Sequence, residues 1–363
     1  MNYYFTTHHR VIGVVTVPCT IDLRLDRSIT EHILLILLDG SDCTGKTQLA
    51  QRLALALNRQ RASLSSLDVY HRGPPTAHPL DEYAEPLLNY RAGNDHNVIC
   101  DRWHVGEAVY PFVLGRATQL DAAINAWLEL FLLSRGALLV HVRRTNEYLD
   151  ACGRHRDDLY DEIDRIPDVT RAFEHAMAST LLPLIVLDDN DPTNDDVDDI
   201  IETAHVQHER VSALNDYVTY IGPRWPSVLL VGDRRGVSGE PIRYGSWPAF
   251  APFPGTSGHY LFSALTREPL RVATHGTLLS QIGVVSANDV DDVHACWNKL
   301  GKPRVVALGV EARKTLRRVG VDISHYAPHP QYWARFRHHE PDAYLRRVLG
   351  IQTIASVAEA ADA

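Results

Sequence analysis

The sequence predicts an α/β protein made of two parallel-sheet units. Three observations predict it. Short apolar runs alternate with amphipathic helical stretches from about residue 31. The alternation weakens between Glu209 and Pro226, where Gly222-Pro223 and Pro226 interrupt the chain, and then restarts. The 363 residues also exceed one average domain of roughly 150. The expected division is an N-terminal extension without a motif (1–30), a first unit (31–208), a linker (209–226), a smaller second unit (227–350) and a tail (351–363).

Each element has its own reason. Val11–Val17 follows Arg10 and is broken by Gly13 and Thr16, with Pro18 next and no small-residue cleavage site after it, so it reads as a strand or a loosely attached leader. Ile33–Leu38 is a continuous apolar run suited to a buried strand, and Leu49, Leu53 and Leu57 recur at four-residue spacing within a helix over Gln48–Leu57. A strand at Asn97–Cys100, a helix at Leu120–Leu133, a strand at Ala137–Val142, a charged helical region at Glu147–Glu174, a strand at Leu184–Leu187 and a helix from about Asp195 to His208 complete the first unit. Strands separated by helices of this length imply a parallel sheet covered on both faces. The acidic stretch Asp188–Asp199 reads as a solvated loop leading into an acidic helix start rather than as a metal site. The second unit has a strand at Val228–Val231, a Gly/Pro-rich loop to Gly258, a helix near His259–Leu265, a helix at Val290–Leu300, a strand at Arg304–Leu308 and a helix at Val310–Val319.

Composition bounds the function. Hydrophobic residues are 45% and charged residues 22%, an ordinary globular mix that excludes disorder, collagen and coiled coil as the main architecture. With 36 Lys+Arg against 45 Asp+Glu the net charge is −9, which argues against a surface that coats nucleic acid or anionic membrane throughout. From Ser227 to Gly350, however, 16 Lys+Arg face 10 Asp+Glu, a local +6 that leaves −15 on the rest. The two halves therefore suit different partners. Cys19, Cys43, Cys100, Cys152 and Cys296 are odd in number and scattered, without a C-x-x-C pair, as fits a reducing cytoplasm. No apolar run approaches the ~20 residues a membrane helix needs.

The first motif follows the Ile33–Leu38 strand directly. Gly40-Ser41-Asp42-Cys43-Thr44-Gly45-Lys46-Thr47 satisfies G-x-x-x-x-G-K-[ST] and opens an amphipathic helix, which is the context the mechanism requires. Gly40 and Gly45 let the backbone curl so that successive N–H groups point at phosphate oxygens, and the helix start adds its positive dipole end. Lys46 reaches the β and γ phosphates of ATP, and the Thr47 hydroxyl suits Mg2+, a hard ion. This loop alone separates neither kinase, ATPase nor switch. Asp101-Arg102-Trp103 ends the next predicted strand, where ligands of parallel sheets gather. The acid can serve magnesium or an acceptor hydroxyl, and Arg102 can clamp an acceptor phosphate. A structural ion pair also explains an Asp-Arg pair. His104, Glu107 and Tyr110 follow at helical spacing.

A phosphate loop with an internal acid (Asp42), then D-R-W and a downstream Tyr110, resembles the thymidylate-kinase family of nucleoside monophosphate kinases over roughly 31–208. The resemblance implies that Asp42 approaches the acceptor sugar 3′-hydroxyl, that Asp101 and Arg102 sit beside the acceptor phosphate, and that Arg154 and Arg156, in Arg154-His155-Arg156, belong to a lid over the phosphates. Arginine so placed is worth roughly 10³–10⁵ in rate in phosphoryl transfer. One departure stands out: in place of a T-R-E-P-G-G-like loop the chain has Tyr70-His71-Arg72-Gly73-Pro74-Pro75, then His78-Pro79-Leu80 and Glu82-Tyr83. Arg72 is then expected to face an acceptor phosphate, with Tyr83 or Tyr90 stacking on the base, and the acceptor itself stays open.

In the second half, Gly232-Asp233-Arg234-Arg235-Gly236, Pro252-Phe253-Pro254-Gly255-Thr256-Ser257-Gly258, Gly309 with Ala312, and Pro328-His329-Pro330 resemble, in order, the motifs of the uracil-DNA glycosylase superfamily over roughly 227–350. The resemblance implies a base-sized pocket of Gly232, Asp233, Phe253 and His329, with Phe253 stacking on a base and His329 donating to a carbonyl oxygen. Arg234 and Arg235 replace an Ala-Pro, and Gln331 a serine, so base binding is favoured over base removal. Arg313, Lys314, Arg317 and Arg318 form two pairs at four-residue spacing that suit phosphate or a solvated face.

The reading is an ATP- and Mg2+-dependent kinase of a thymidine-type nucleotide, with DNA a partner for the C-terminal half and a homodimer expected. Two alternatives stay open: a kinase acting on 5-hydroxymethyluracil within DNA, as in viral base modification, and a P-loop ATPase joined to an active glycosylase or a DNA-binding module.

Overall fold

The computed structural model describes residues 2–7, 10–16, 34–60, 66–73, 75–88, 96–153, 165–188, 192–214, 217, 219–232, 247–267, 278–287, 290–336 and 341–349. Arg154, Arg156, Asp233, Arg234, Arg235 and Tyr90 lie outside the described residues, as does the expected tail. The chain divides into two compact units, one of Met1–Leu120 with Arg135–Ser212 and one of Asp121–Ser134 with Ala213–Ala363. Both carry parallel sheets with helices, so the fold is α/β.

In the first unit, β1 (Asn2–Thr7) and β2 (Arg10–Thr16) pair antiparallel. The main sheet contains β3 (Leu35–Asp39), β4 (Ser66–His71), β5 (His96–Asp101), β6 (Leu138–Val142) and β7 (Leu184–Leu187) in the order β4-β5-β3-β6-β7, every pair parallel. The connection after β3 leads to one side of the sheet and the connection after β5 to the other, so the order reverses around β3. At such a point the loops leave a crevice outside the carboxyl ends of the strands.

Helix α1 (Lys46–Gln60) buries Leu49, Leu53 and Leu57 against Ile36, Leu38, Val140 and Val142, and α7 (Asn194–Ser212) brings Val197, Ile200, Ile201 and Ala204 to the same core. Strand periodicity turns Leu35 and Leu37 to the opposite face, where they are also buried, as expected for a sheet covered on both sides. The start of α7 is a reciprocal cap: Thr193 N–H and Oγ1 donate to Asp196 Oδ2 at 2.6 Å, and Asp196 N–H donates to Thr193 Oγ1 at 3.2 Å. This accounts for part of the acidic stretch. Between these elements lie α2 (Pro79–Tyr83), α3 (His104–Leu114), α5 (Asn146–Gly153) and α6 (Ile166–Ser179), so the charged region read as one helical stretch contains two helices, with 154–164 outside the described residues.

The second unit has a four-stranded parallel sheet in the order β11-β10-β8-β9, from β8 (Val228–Gly232), β9 (Ile282–Ser286), β10 (Arg304–Leu308) and β11 (His325–Ala327). Its helices are α4 (Ala122–Ser134), α8 (Ser257–Leu265), α9 (Val290–Lys299), α10 (Val310–Arg318), α11 (Pro330–Phe336) and α12 (Pro341–Leu349). Helix α4 falls within the 31–208 span expected for the first unit, yet it packs in the second. Trp127 stacks on Phe131 at 5.3 Å, meets Trp247 at 6.0 Å and donates from Nε1 to Ala249 O at 3.0 Å. Leu214, Tyr217, Tyr220 and Ile221, in the stretch expected to be a linker, are likewise buried, the first three in this unit's core. Among the described residues no helix is long and apolar enough to cross a membrane.

Candidate functional site

The loop between β3 and α1 takes a shape that its glycines permit. Gly40 has φ +146, and a Cβ there would lie 2.4 Å from Val142 O at the end of β6, so only glycine fits against the neighbouring strand. Gly45 has φ +89, and Cys43 adopts φ +64 between them. Lys46 is nearly buried and donates from Nζ to Gly40 O at 2.8 Å and to Ser41 O, while Thr44 Oγ1 donates to Ser41 O at 3.0 Å. Burial lowers the Lys46 pKa, opposed by the charges of Asp42 and Asp39. A curled glycine loop leading into a helix start collects backbone N–H groups, which is the chemistry of a polyanion cradle.

Two acids frame the loop. Asp101, at the end of β5, is buried; its Oδ2 accepts the Thr47 hydroxyl at 2.7 Å and lies 2.8 Å from His71 Nδ1. Its Oδ1 is buried and has no hydrogen-bond partner among the described residues. Asp39, at the end of β3, is also buried and caps α3 from outside: Oδ2 accepts Trp103 N–H at 3.3 Å and Gly106 N–H at 3.1 Å, and Oδ1 accepts Gly40 N–H at 3.1 Å. Burial raises its pKa, against the lowering effect of Lys46 and His104.

Among the described residues no cluster of three or more His, Cys, Asp or Glu could hold a metal. Magnesium, however, keeps water and phosphate oxygens and takes one or two protein oxygens. The Thr47 hydroxyl and the unpartnered Asp101 Oδ1 fit that requirement.

Next to the loop lies a cavity of about 200 Å³ lined by Asp39, Asp42, Arg72, Tyr83, Arg102 and Tyr110, among others. Arg102 takes a left-handed φ of +65 and places Nη2 2.7 Å from Asp42 Oδ1. The Tyr110 hydroxyl oxygen accepts the Asp42 N–H at 2.9 Å, and burial pushes its phenol pKa well up. Arg72 pairs with Glu82 at 3.2 Å, and its guanidinium lies 5.6 Å from the centre of Tyr70 and 5.9 Å from that of Trp103. Tyr83 meets Trp103 edge-on at 5.4 Å, and burial raises its pKa strongly. Five expected acceptor residues, Asp42, Arg72, Tyr83, Arg102 and Tyr110, thus line one cavity that also touches the loop at Gly40. The electrostatics allow the cavity to hold an anionic group against arginines while aromatic rings cover a flat one.

Sequence reasoning missed three residues. Asp39 sits just before the motif and acts on a helix start 64 residues away, and His71 belongs to a strand that the apolar pattern did not reveal. His141, opposite Asp39 in the β3–β6 ladder, stacks on Phe173 at 6.1 Å, and burial drives its pKa down to about 4, with Arg143 and Lys46 adding to the shift. Only its polarity within an apolar strand marked it.

In the second unit, a Cβ on Gly232 would lie 2.0 Å from the Phe250 ring, and Phe250, at φ +54, faces His329 with ring centres 6.0 Å apart. Phe253 instead packs edge-on against Trp247 at 5.1 Å. His329 Nδ1 accepts Gln331 N–H at 3.3 Å, so in its neutral form the proton sits on Nε2. Gly232 and His329 therefore share Phe250 rather than Phe253 as the ring between them.

No known family profile matches the sequence, and no curated protein does. Among solved structures, the YorR protein of Bacillus subtilis in complex with phosphorylated GDP is similar at 21% identity and a TM-score of 0.39, over 48% of this chain and 98% of that one. Polyphosphate kinase 2 of Arthrobacter aurescens TC1 is similar at 15% identity and a TM-score of 0.32, over 52% of this chain and 69% of that one.

Proposed function

We propose that the first unit transfers the terminal phosphoryl group of ATP to a thymidine-type nucleotide. The observation that carries this reading is one shared wall: Gly40 and Asp42 belong both to the glycine loop and to the neighbouring cavity, so a donor in the first abuts an acceptor in the second. The loop N–H groups from Cys43 to Thr47 and the Lys46 ammonium hold the donor phosphates, for which Lys46 exchanges its bonds to the loop carbonyls, while the N–H groups of Gly40 and Asp42 stay on Asp39 Oδ1 and the Tyr110 hydroxyl. Magnesium, when bound, neutralises phosphate charge, and Thr47 with Asp101 Oδ1 would hold it. Arg102 and Arg72 face the acceptor phosphate, Asp42 the sugar, and Tyr83 and Tyr110 its flat portion. Arg154 and Arg156 supply the lid charge. Positioning and electrostatics carry most of the rate in such transfers. The test is incubation of the full chain with labelled ATP, Mg2+ and each deoxynucleoside monophosphate; the reading requires transfer to one of them and its loss in Lys46→Ala.

A second reading is favoured by a specific observation. The Tyr70–Gly73 segment, which departs from the thymidylate-kinase pattern, is braced by the Arg72–Glu82 pair, and the second unit sets Phe250 and His329 against Gly232 with an Nε2–H donor. These features support phosphorylation of 5-hydroxymethyluracil within DNA, with the second unit binding the nucleotide or flipped base rather than removing it. The acceptor hydroxyl would gain the phosphoryl group and lose its proton. DNA carrying that base, compared with free thymidine monophosphate as acceptor, separates the readings, and failure on DNA removes the second.

A further inference from the structure

His71 and Asp101 are direct neighbours in the parallel ladder of β4 and β5, so their side chains leave the same face of the sheet. Tyr70 and Arg72 leave the other face, where Arg72 covers the Tyr70 ring and lines the acceptor cavity. The chain thus divides at the end of β4: Arg72, one residue beyond the strand, lines the cavity, and His71 touches only the acid beside the glycine loop among its described partners. His71 is 57% exposed while Asp101 is 1% exposed, so the imidazole covers the carboxylate from the solvent side. Both Thr47 Oγ1 and His71 Nδ1 engage the same oxygen, Oδ2, at 2.7 and 2.8 Å, and Oδ1 is buried with no hydrogen-bond partner among the described residues.

We infer that His71 is a positioning residue for Asp101: by donating Nδ1–H to Oδ2 it fixes the carboxylate rotamer so that Oδ1 is the oxygen presented to a magnesium–nucleotide complex. The inference rests on the kinase reading and adds a residue to it. A carboxylate pinned by the Thr47 hydroxyl alone can turn about its Cβ–Cγ bond, which exchanges the two oxygens. A second donor on Oδ2 removes that freedom. Outer partners of this kind typically change metal affinity by roughly 10–100-fold when removed.

The experiment titrates the full chain with ATP by calorimetry across a series of Mg2+ concentrations and again in EDTA, for the parent protein, His71→Ala and His71→Asn. Asparagine places an N–H donor near the position of Nδ1. The expected result is that His71→Ala needs about ten times more Mg2+ for half-maximal ATP binding, binds ATP in EDTA as the parent does, and is largely rescued in His71→Asn. The inference is overturned by an unchanged Mg2+ requirement in His71→Ala, by an equal loss of affinity in EDTA, or by no rescue in His71→Asn. Melting curves accompany each variant, and if His71→Ala melts early, His71→Gln carries the same comparison. A parent protein that binds no ATP in either condition sinks the kinase reading itself, an outcome distinct from failure of the variants alone.

Discussion

The Tyr110 hydroxyl accepts the backbone N–H of Asp42 at 2.9 Å, so the middle of α3 is tied to the glycine loop 68 residues earlier. The bond fixes the loop on the side where Asp42 also meets Arg102. Tyr110→Phe keeps the ring contact with Phe173 and removes the acceptor. It is expected to cost about 1 kcal/mol of stability and to weaken ATP binding. Urea unfolding and ATP titration check the two effects, and an unchanged ATP affinity would detach Tyr110 from the loop's function.

Gly40→Ala puts a methyl group 2.4 Å from Val142 O at a φ that L-residues avoid. The loop must move, so ATP binding is expected to fall below detection while the unit stays folded, with a loss of about 1–3 kcal/mol. Far-UV circular dichroism and nucleotide titration distinguish local from global damage.

His141 gives the first unit a pH dependence with a definite sign. Its folded pKa of about 4 lies below the ordinary 6.5, so the unfolded chain takes up the proton first as pH falls. The stability is complete above pH 6.5 and is lost between 6.5 and about 4, by roughly 3 kcal/mol. Urea midpoints at pH 7 and pH 4.5 should differ more in the parent than in His141→Gln; equal differences would contradict the assignment.

Asp39→Asn replaces a carboxylate oxygen with an N–H donor opposite N–H groups of Gly40, Trp103 or Gly106. The start of α3 is expected to fray, with a loss of about 1–3 kcal/mol. Faster amide exchange at Trp103 and Gly106 is the readout.

Much of the first unit was legible because adjacent signals agreed: a buried run, a glycine loop and leucines at four-residue spacing specify β3, its loop and α1 together. The cavity was legible through Asp42, Arg102 and Tyr110, which line it beside the adjacent ends of β3 and β5. What escaped was decided at long range. Helix α4 is apolar on almost every side, so its period could not say which core it fills, and the tilted contact of Trp127 with Trp247 and its Nε1 bond to Ala249 O decide it. Strand β4, with Asp68 and Tyr70 among its residues, lacks the apolar run of an interior strand because it lies at the sheet edge, which hid His71. Phe250 reaches Gly232 only through a left-handed backbone that nothing in its neighbours announces.

The most direct measurement is equilibrium titration of the purified chain with ATP in the presence of Mg2+, beside Lys46→Ala checked for folding. Saturable binding by the parent that the variant lacks is the predicted result. A parent protein that shows no affinity for the nucleotide would contradict the account at its root.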